Sequence, residues 1–178
     1  MSIIEGSMIA TFSGRYVDPL HLTPEEVNIE DIAHALPNQC RFTGHTLEFF
    51  SVAQHSVLVM RTLPIEHKFW GLLHDASETY LSDVARPLKQ DPYFGQAYRG
   101  AEGRAMRAIA SAFDLPWPEP PEVKVADNVL LATERRDLIK ARGKWSVLEG
   151  VIPLPQRICP WSPRRSETEF LSAYETLK

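Results

Sequence analysis

The sequence predicts an all-α fold, a compact bundle of about six helices, on three observations. Apolar residues recur at helical spacing in several long segments, while strand-like alternation is nearly absent. Helix-start signals and prolines fall at the ends of those segments. No internal repeat or low-complexity tract divides the 178 residues, so one domain over 1–178 is expected, large enough for a proper core.

The elements follow in order. Residues 1–22 read as an N-terminal arm, with Thr11 to Tyr16 the best place for a short strand. Thr23-Pro24-Glu25-Glu26 is a capping box with proline at the first helical position. Asn28 offers a second cap before Ile29 to Leu36, and Pro37 is expected to stop that segment. A stronger helix is expected from about Glu48 to Leu63, and the next, starting near Pro64, carries Phe69, Leu72, Leu73 and Ala76 on one face. Gly95 to Phe113 and Pro121 to Ala141 make two more. The stretch 142–161 is rich in Gly and Pro and reads as a loop. Ser162-Pro163 then caps a last helix over 162–178.

Composition narrows the partners. The net charge of −4 argues against a nucleic-acid polymer, for which a basic stripe is the usual footprint. A small anionic substrate remains open, because a few placed cations serve one phosphate. No apolar run is long enough to span a bilayer, and Met1 to Ala10 lacks the pattern of an export signal. Cys40 and Cys159 are too few for a disulfide framework. A cytoplasmic protein with no membrane partner is the expectation. Assembly into a homo-oligomer is also expected, with Trp145, Trp161, Phe170 and Tyr174 as candidates for the contact.

The chemistry shows where polar residues interrupt apolar stripes. His55 shares a helix face with Val52, Leu58 and Val59, and Asp127 lies between Val123 and Leu130. A carboxylate on a buried face is costly unless it is paired. A divalent metal is one such partner, and a salt bridge is the other. His74-Asp75 ends a further helical segment, where two adjacent side chains can converge at the flank. Glu78 follows at three and four residues, on their face. Imidazole and carboxylate together suit a first-row transition ion.

The series His55…His74-Asp75…Asp127 resembles the H…HD…D signature of the HD superfamily of metal-dependent phosphohydrolases. Ser51-Val52-Ala53-Gln54-His55-Ser56 and His74-Asp75-Ala76-Ser77-Glu78 are similar to stretches of bacterial 5′-deoxynucleotidases. Asp83 and Arg86-Pro87-Leu88-Lys89 fall where those enzymes have an aspartate and a Pro-x-Lys element. Upstream, Gly14-Arg15-Tyr16, the Ile29–Leu36 stretch and Cys40-Arg41-Phe42-Thr43-Gly44-His45 resemble a branch of short HD hydrolases that includes small phage-encoded dATP triphosphohydrolases.

The resemblance implies a single ion, Mn²⁺, Fe²⁺, Co²⁺ or Zn²⁺, held by His55, His74, Asp75 and Asp127. No histidine lies between Asp75 and Asp127 to build a second metal position. Glu78 would orient or deprotonate the attacking water, with Asp83 assisting as a second catalytic carboxylate. Arg41 and Lys89, then Arg15 and His45, are the candidates for phosphate contact. Phe42 stands where the deoxynucleotidases carry a tryptophan that crowds the sugar 2′ position. The implied substrate is a deoxynucleotide, best a dNTP of the dATP type cleaved to deoxynucleoside and triphosphate. A 5′-deoxynucleotidase and a non-catalytic nucleotide-binding domain are the alternatives.

Overall fold

The computed structural model describes residues 6–178, so the first five residues of the expected arm lie outside the described region. The fold is all-α. Six helices run nine residues or longer: α1 (Ile29–Asn38), α2 (Val52–Thr62), α3 (Ile65–Leu73), α6 (Phe94–Ala112), α7 (Pro121–Leu138) and α8 (Pro163–Leu177). Two single turns, α4 (Glu78–Leu81) and α5 (Arg86–Lys89), lie between α3 and α6.

The arm forms a two-stranded antiparallel ribbon, β1 (Ile9–Ala10) and β2 (Tyr16–Val17), with Ile9 opposite Val17. Most of the expected strand Thr11–Tyr16 is therefore its turn, closed by Thr11 N–H on the Arg15 carbonyl at 2.9 Å. Gly14, at φ +82°, supplies the left-handed residue that the turn requires. Buried Asp31 of α1 fixes the ribbon by accepting from Ser13 N at 2.6 Å and Ser13 Oγ at 2.9 Å.

The caps set most helix starts, and neighbouring contacts move several ends. Thr23 N–H donates to Glu26 at 2.8 Å as the capping box requires, but the box encloses only a 3₁₀ turn, Pro24–Glu26. The Asn28 cap restarts the chain too soon for a longer helix. Pro37 does not stop α1; it sits inside its last turn, and the helix ends one residue later at Asn38. The helix expected from Glu48 begins at Val52, since a bridge between Cys40 and Ser51 keeps the preceding residues extended. Ser51 Oγ then caps α2 through Gln54 N–H at 3.1 Å. At the other end, α7 stops at Leu138 rather than Ala141. The Leu138 carbonyl is taken by Leu47 N–H at 2.8 Å.

Helix α2 runs through the middle of the bundle and packs on α1, α3, α7 and α8. Gly71 lets α3 approach, because a Cβ there would lie 3.1 Å from Met60 Cα and collide with Leu63. The core gathers Ile32, Leu36, Val57, Trp70, Leu72, Ile109, Leu130 and Phe170. Trp161, Phe170 and Tyr174 are buried in that core, so of the two places open to these aromatics, a subunit contact or the core, they take the core. Apolar burial inside one chain has already used these rings. The loop from 139 to 162 is pinned rather than loose: Gln54, itself buried, bonds the Cys159 carbonyl and the Trp161 N–H, each at 2.8 Å. Among the described residues no helix is long and apolar enough to cross a membrane.

Candidate metal centre

The bundle brings the four interrupting residues together from three places. His55 comes from α2, His74 and Asp75 from the turn that follows α3, and Asp127 from α7. His55 Nε2 lies 3.2 Å from His74 Nε2. Asp75 Oδ2 stands 3.6 Å from the first nitrogen and 3.3 Å from the second. One donor atom from each of His55, His74 and Asp75 falls within 4.8 Å of the others, a group that could hold a metal ion. Asp127 joins from outside that tight group: its Oδ1 is 3.3 Å from His55 Nε2, while Oδ2 is ion-paired with Lys124.

The second nitrogen of each imidazole decides what the first can do. His74 Nδ1 is 2.9 Å from the Gly71 carbonyl, which can only accept, so that nitrogen carries the proton. His55 Nδ1 lies 2.5 Å from Glu134 Oε1 and donates to it. With both rings neutral, the two Nε2 atoms offer lone pairs, and they face each other. Two acceptors at that separation repel unless positive charge sits between them. Neighbouring ligands on an ion with metal–nitrogen bonds of about 2.1 Å stand about 3.0 to 3.4 Å apart, so the pair has the spacing of two ligands on one ion.

Burial and the Arg41 charge pull the His55 imidazole down, but Glu134 and the bond to Asp127 outweigh them and raise it to about 9. Without an ion the surrounding carboxylates keep a proton on that ring, which a metal would have to displace. Burial pushes His74 below its ordinary value, which keeps it neutral, the form that binds a metal.

Glu134 was not among the residues expected at the site. It is fully buried on α7, and its second oxygen takes the Arg41 Nε and Nη2 protons, each at 3.2 Å. Arg41 Nη1 reaches Asp75 Oδ2 at 3.3 Å. The signal was available in the sequence: Glu134 is seven residues after Asp127 and interrupts the same apolar stripe, between Leu130 and Leu138. Arg41 thus arrives with its guanidinium engaged by two carboxylates, and only its edge faces the cavity.

A cavity of about 1130 Å³ opens over this cluster. Arg41, Phe42, His45, Glu78, Asp83 and Lys89 all line it, as do His74, Asp75 and Asp127. Arg15 does not: it sits by the ribbon, donating to the Glu25 carbonyl at 3.4 Å in solvent. Glu78 is buried, with Oε1 3.5 Å from Lys89 Nζ and Oε2 without a partner among the described residues. Burial, Asp75 and Asp83 together push its carboxyl well above the usual range. Burial likewise raises Asp83. Lys89 is also bonded to Glu102 at 2.7 Å. Phe42 holds a left-handed backbone (φ 54°), as does Thr43 (φ 53°), conformations that non-glycine residues keep only when their surroundings impose them. Its ring faces Trp145 across 6.1 Å.

Further residues of this cavity were not anticipated: Trp117, Glu119, Lys124, Lys140 and Lys144. Burial and the Asp75 charge push the Glu119 carboxyl up to about 7.

No protein-family model matches the chain. It is 38% identical over 174 residues to YfdR, an uncharacterized protein of Escherichia coli K12, a match covering 96% of each. It is also 38% identical over 139 residues to RCAP_rcc00048, an uncharacterized protein of Rhodobacter capsulatus, covering 71% of this chain and 70% of that one.

Proposed function

The chain belongs to the family of the Escherichia coli protein YfdR, and we propose that it is a metal-dependent phosphohydrolase of the HD type acting on deoxynucleotides. The facing Nε2 atoms of His55 and His74, 3.2 Å apart with Asp75 and Asp127 beside them, carry this reading. Once the His55 proton is displaced they suit a metal cation, and Asp75 and Asp127 stand ready to complete its ligand set. A mixed imidazole and carboxylate set suits Mn²⁺, Fe²⁺, Co²⁺ or Zn²⁺. Such an ion supplies Lewis acidity toward a phosphoryl oxygen and makes water acidic enough to react near neutral pH.

The chain's own residues do the rest. Glu78 Oε2, buried and unpartnered, accepts a proton from the attacking water. Lys89, held between Glu78 and Glu102, gives a positive charge to the phosphate that approaches. Asp83 faces the same space and protonates or orients the departing oxygen. Arg41 keeps Asp75 and Glu134 in place and turns one edge toward the substrate. Phosphoryl transfer demands positioning and charge neutralisation more than covalent chemistry from the protein.

A deoxynucleoside triphosphate is the substrate this cavity suits best, since it is roomy and carries cations beyond Lys89 (Arg86, Lys140 and Lys144). Water adds to the α-phosphorus, the bond to the 5′ oxygen breaks, and that oxygen leaves with a proton. The products are deoxynucleoside and triphosphate. Incubation with dATP or dAMP and Mn²⁺, Co²⁺, Zn²⁺ or EDTA, with ion-exchange separation of products, tests this. Metal-dependent triphosphate from dATP is expected. Orthophosphate from dAMP alone would make the protein a 5′-deoxynucleotidase, and no hydrolysis with any metal would leave a nucleotide-binding role.

A further inference from the structure

The cavity is not uniform along its length. The chain turns between α6 and α7 at Trp117 and Glu119, and both helices leave that turn as cavity walls. Going back along α6, the lining residues are Met106, Gly103, Glu102 and then Arg99. Forward along α7 they are Lys124, Asp127 and Leu131, followed by Lys140 and Lys144 beyond its end. The 18 residues of α7 span about 27 Å, with Asp127 in its first half. The end at the α6–α7 turn is therefore aromatic, with the Glu119 carboxylate and the Asp127-paired Lys124, the end beyond α7 is basic, and the metal ligands lie between.

We propose that the end formed by Gly103, Met106, Trp117 and Glu119 is a nucleobase pocket, in which Glu119 accepts a hydrogen bond from the exocyclic amino group of the base. The proposal rests on the deoxynucleotide reading above and adds the orientation of the substrate and its base selectivity. The triphosphate runs from the metal ligands toward Lys140 and Lys144, because the Glu119 carboxylate at the other end repels anionic phosphates.

Three features fit a flat ring at this place. Trp117 is 42% exposed although it lines a cavity, and Arg107 lies over its ring at 5.5 Å and steadies it. Gly103 faces open space, for a Cβ there meets nothing within 4 Å. A glycine inside a long helix weakens it, and no packing neighbour within the chain requires this one. Glu119 is half-buried, and no hydrogen bond engages its carboxyl among the described residues. An aromatic face, a shallow gap and one unengaged acceptor are what an amino-bearing base requires. Thymine presents a carbonyl at that edge, and the ionised carboxylate has no proton to give it.

The test separates base recognition from catalysis. Calorimetry with deoxyadenosine and with thymidine, on the full chain, reads the pocket without any phosphate. At about pH 8, above the value of about 7 to which Glu119 is raised, deoxyadenosine should bind about tenfold tighter or better, a hydrogen bond to a charged acceptor being worth that much. Glu119→Ala should cut the ratio of kcat/KM for dATP over dTTP by about tenfold. Gly103→Leu, which fills the gap and leaves Glu119 in place, should weaken binding of both nucleosides. Equal binding of the two nucleosides by the wild type, or an unchanged ratio in Glu119→Ala, would overturn the pocket. Base-independent hydrolysis would leave the phosphohydrolase standing without it. Selective nucleoside binding without hydrolysis would do the reverse.

Discussion

Glu134 Oε1 lies 2.5 Å from His55 Nδ1, and both side chains are wholly buried. This one contact puts a proton on Nδ1 of the imidazole and points Nε2 at His74. It also explains Arg41, whose guanidinium neutralises the other oxygen of Glu134 and then reaches Asp75. Ligand, carboxylate and arginine form one connected unit, and the predictions below follow from it.

Glu134→Gln should keep the shape of the unit and lose its charge. Metal affinity is then expected to fall by about 10- to 100-fold, the usual effect of changing the partner of a ligating histidine. Titration calorimetry with Mn²⁺ or Co²⁺ measures it. An unchanged affinity would mean that His55 is oriented by packing alone.

Arg41→Ala leaves Glu134 buried without its cation. The expected cost is about 3 to 5 kcal/mol of stability, and Arg41→Lys should recover only part of it, since one ammonium cannot serve Glu134 and Asp75 together. Chemical denaturation of the purified variants gives both values. A loss of activity at full stability would instead make Arg41 a phosphate contact and nothing more.

Asp127→Ala and Glu78→Gln should separate binding from turnover. The first strips a charged ligand and is expected to abolish metal binding and activity together. The second leaves the ligands intact and should lower kcat by about 100-fold or more with near-normal metal content, as loss of a general base does. If Glu78→Gln also emptied the site of metal, Glu78 would be a ligand.

The pH dependence should reverse sign between chelated and metal-loaded protein. His55 is raised from 6.5 to about 9 in the folded state. In chelated protein the native state holds the extra proton, so its stabilisation is complete below pH 6.5 and disappears as pH rises through about 9. The Tm should fall across that window. A metal must displace the same proton, so metal affinity should instead climb toward pH 9. Thermal melts with EDTA and with Co²⁺ at several pH values check both slopes.

Much of the fold was legible locally. The Asn28 and Ser162 caps and the apolar periodicity around Leu72 and Leu130 are properties of short windows, and the helices follow them. Helix ends were less legible. The Leu138 carbonyl finds its partner at Leu47, and no window around residue 138 contains that information. Arg15 shows the same limit at the site: its place beside Glu25 depends on how the ribbon packs, so its charge alone could not put it in the cavity.

The sequence by itself determined the helical architecture and the four residues that break its apolar faces, because the period of a helix dictates which side chains share a face. Only the tertiary structure decided what each face meets. It paired His55 with Glu134 across 79 positions and Arg41 with the same carboxylate across 93, and it sent Trp161, Phe170 and Tyr174 into the core. The reason is physical: burial makes every polar group find a partner, and in a packed bundle that partner is set by contacts between helices, which no local pattern encodes.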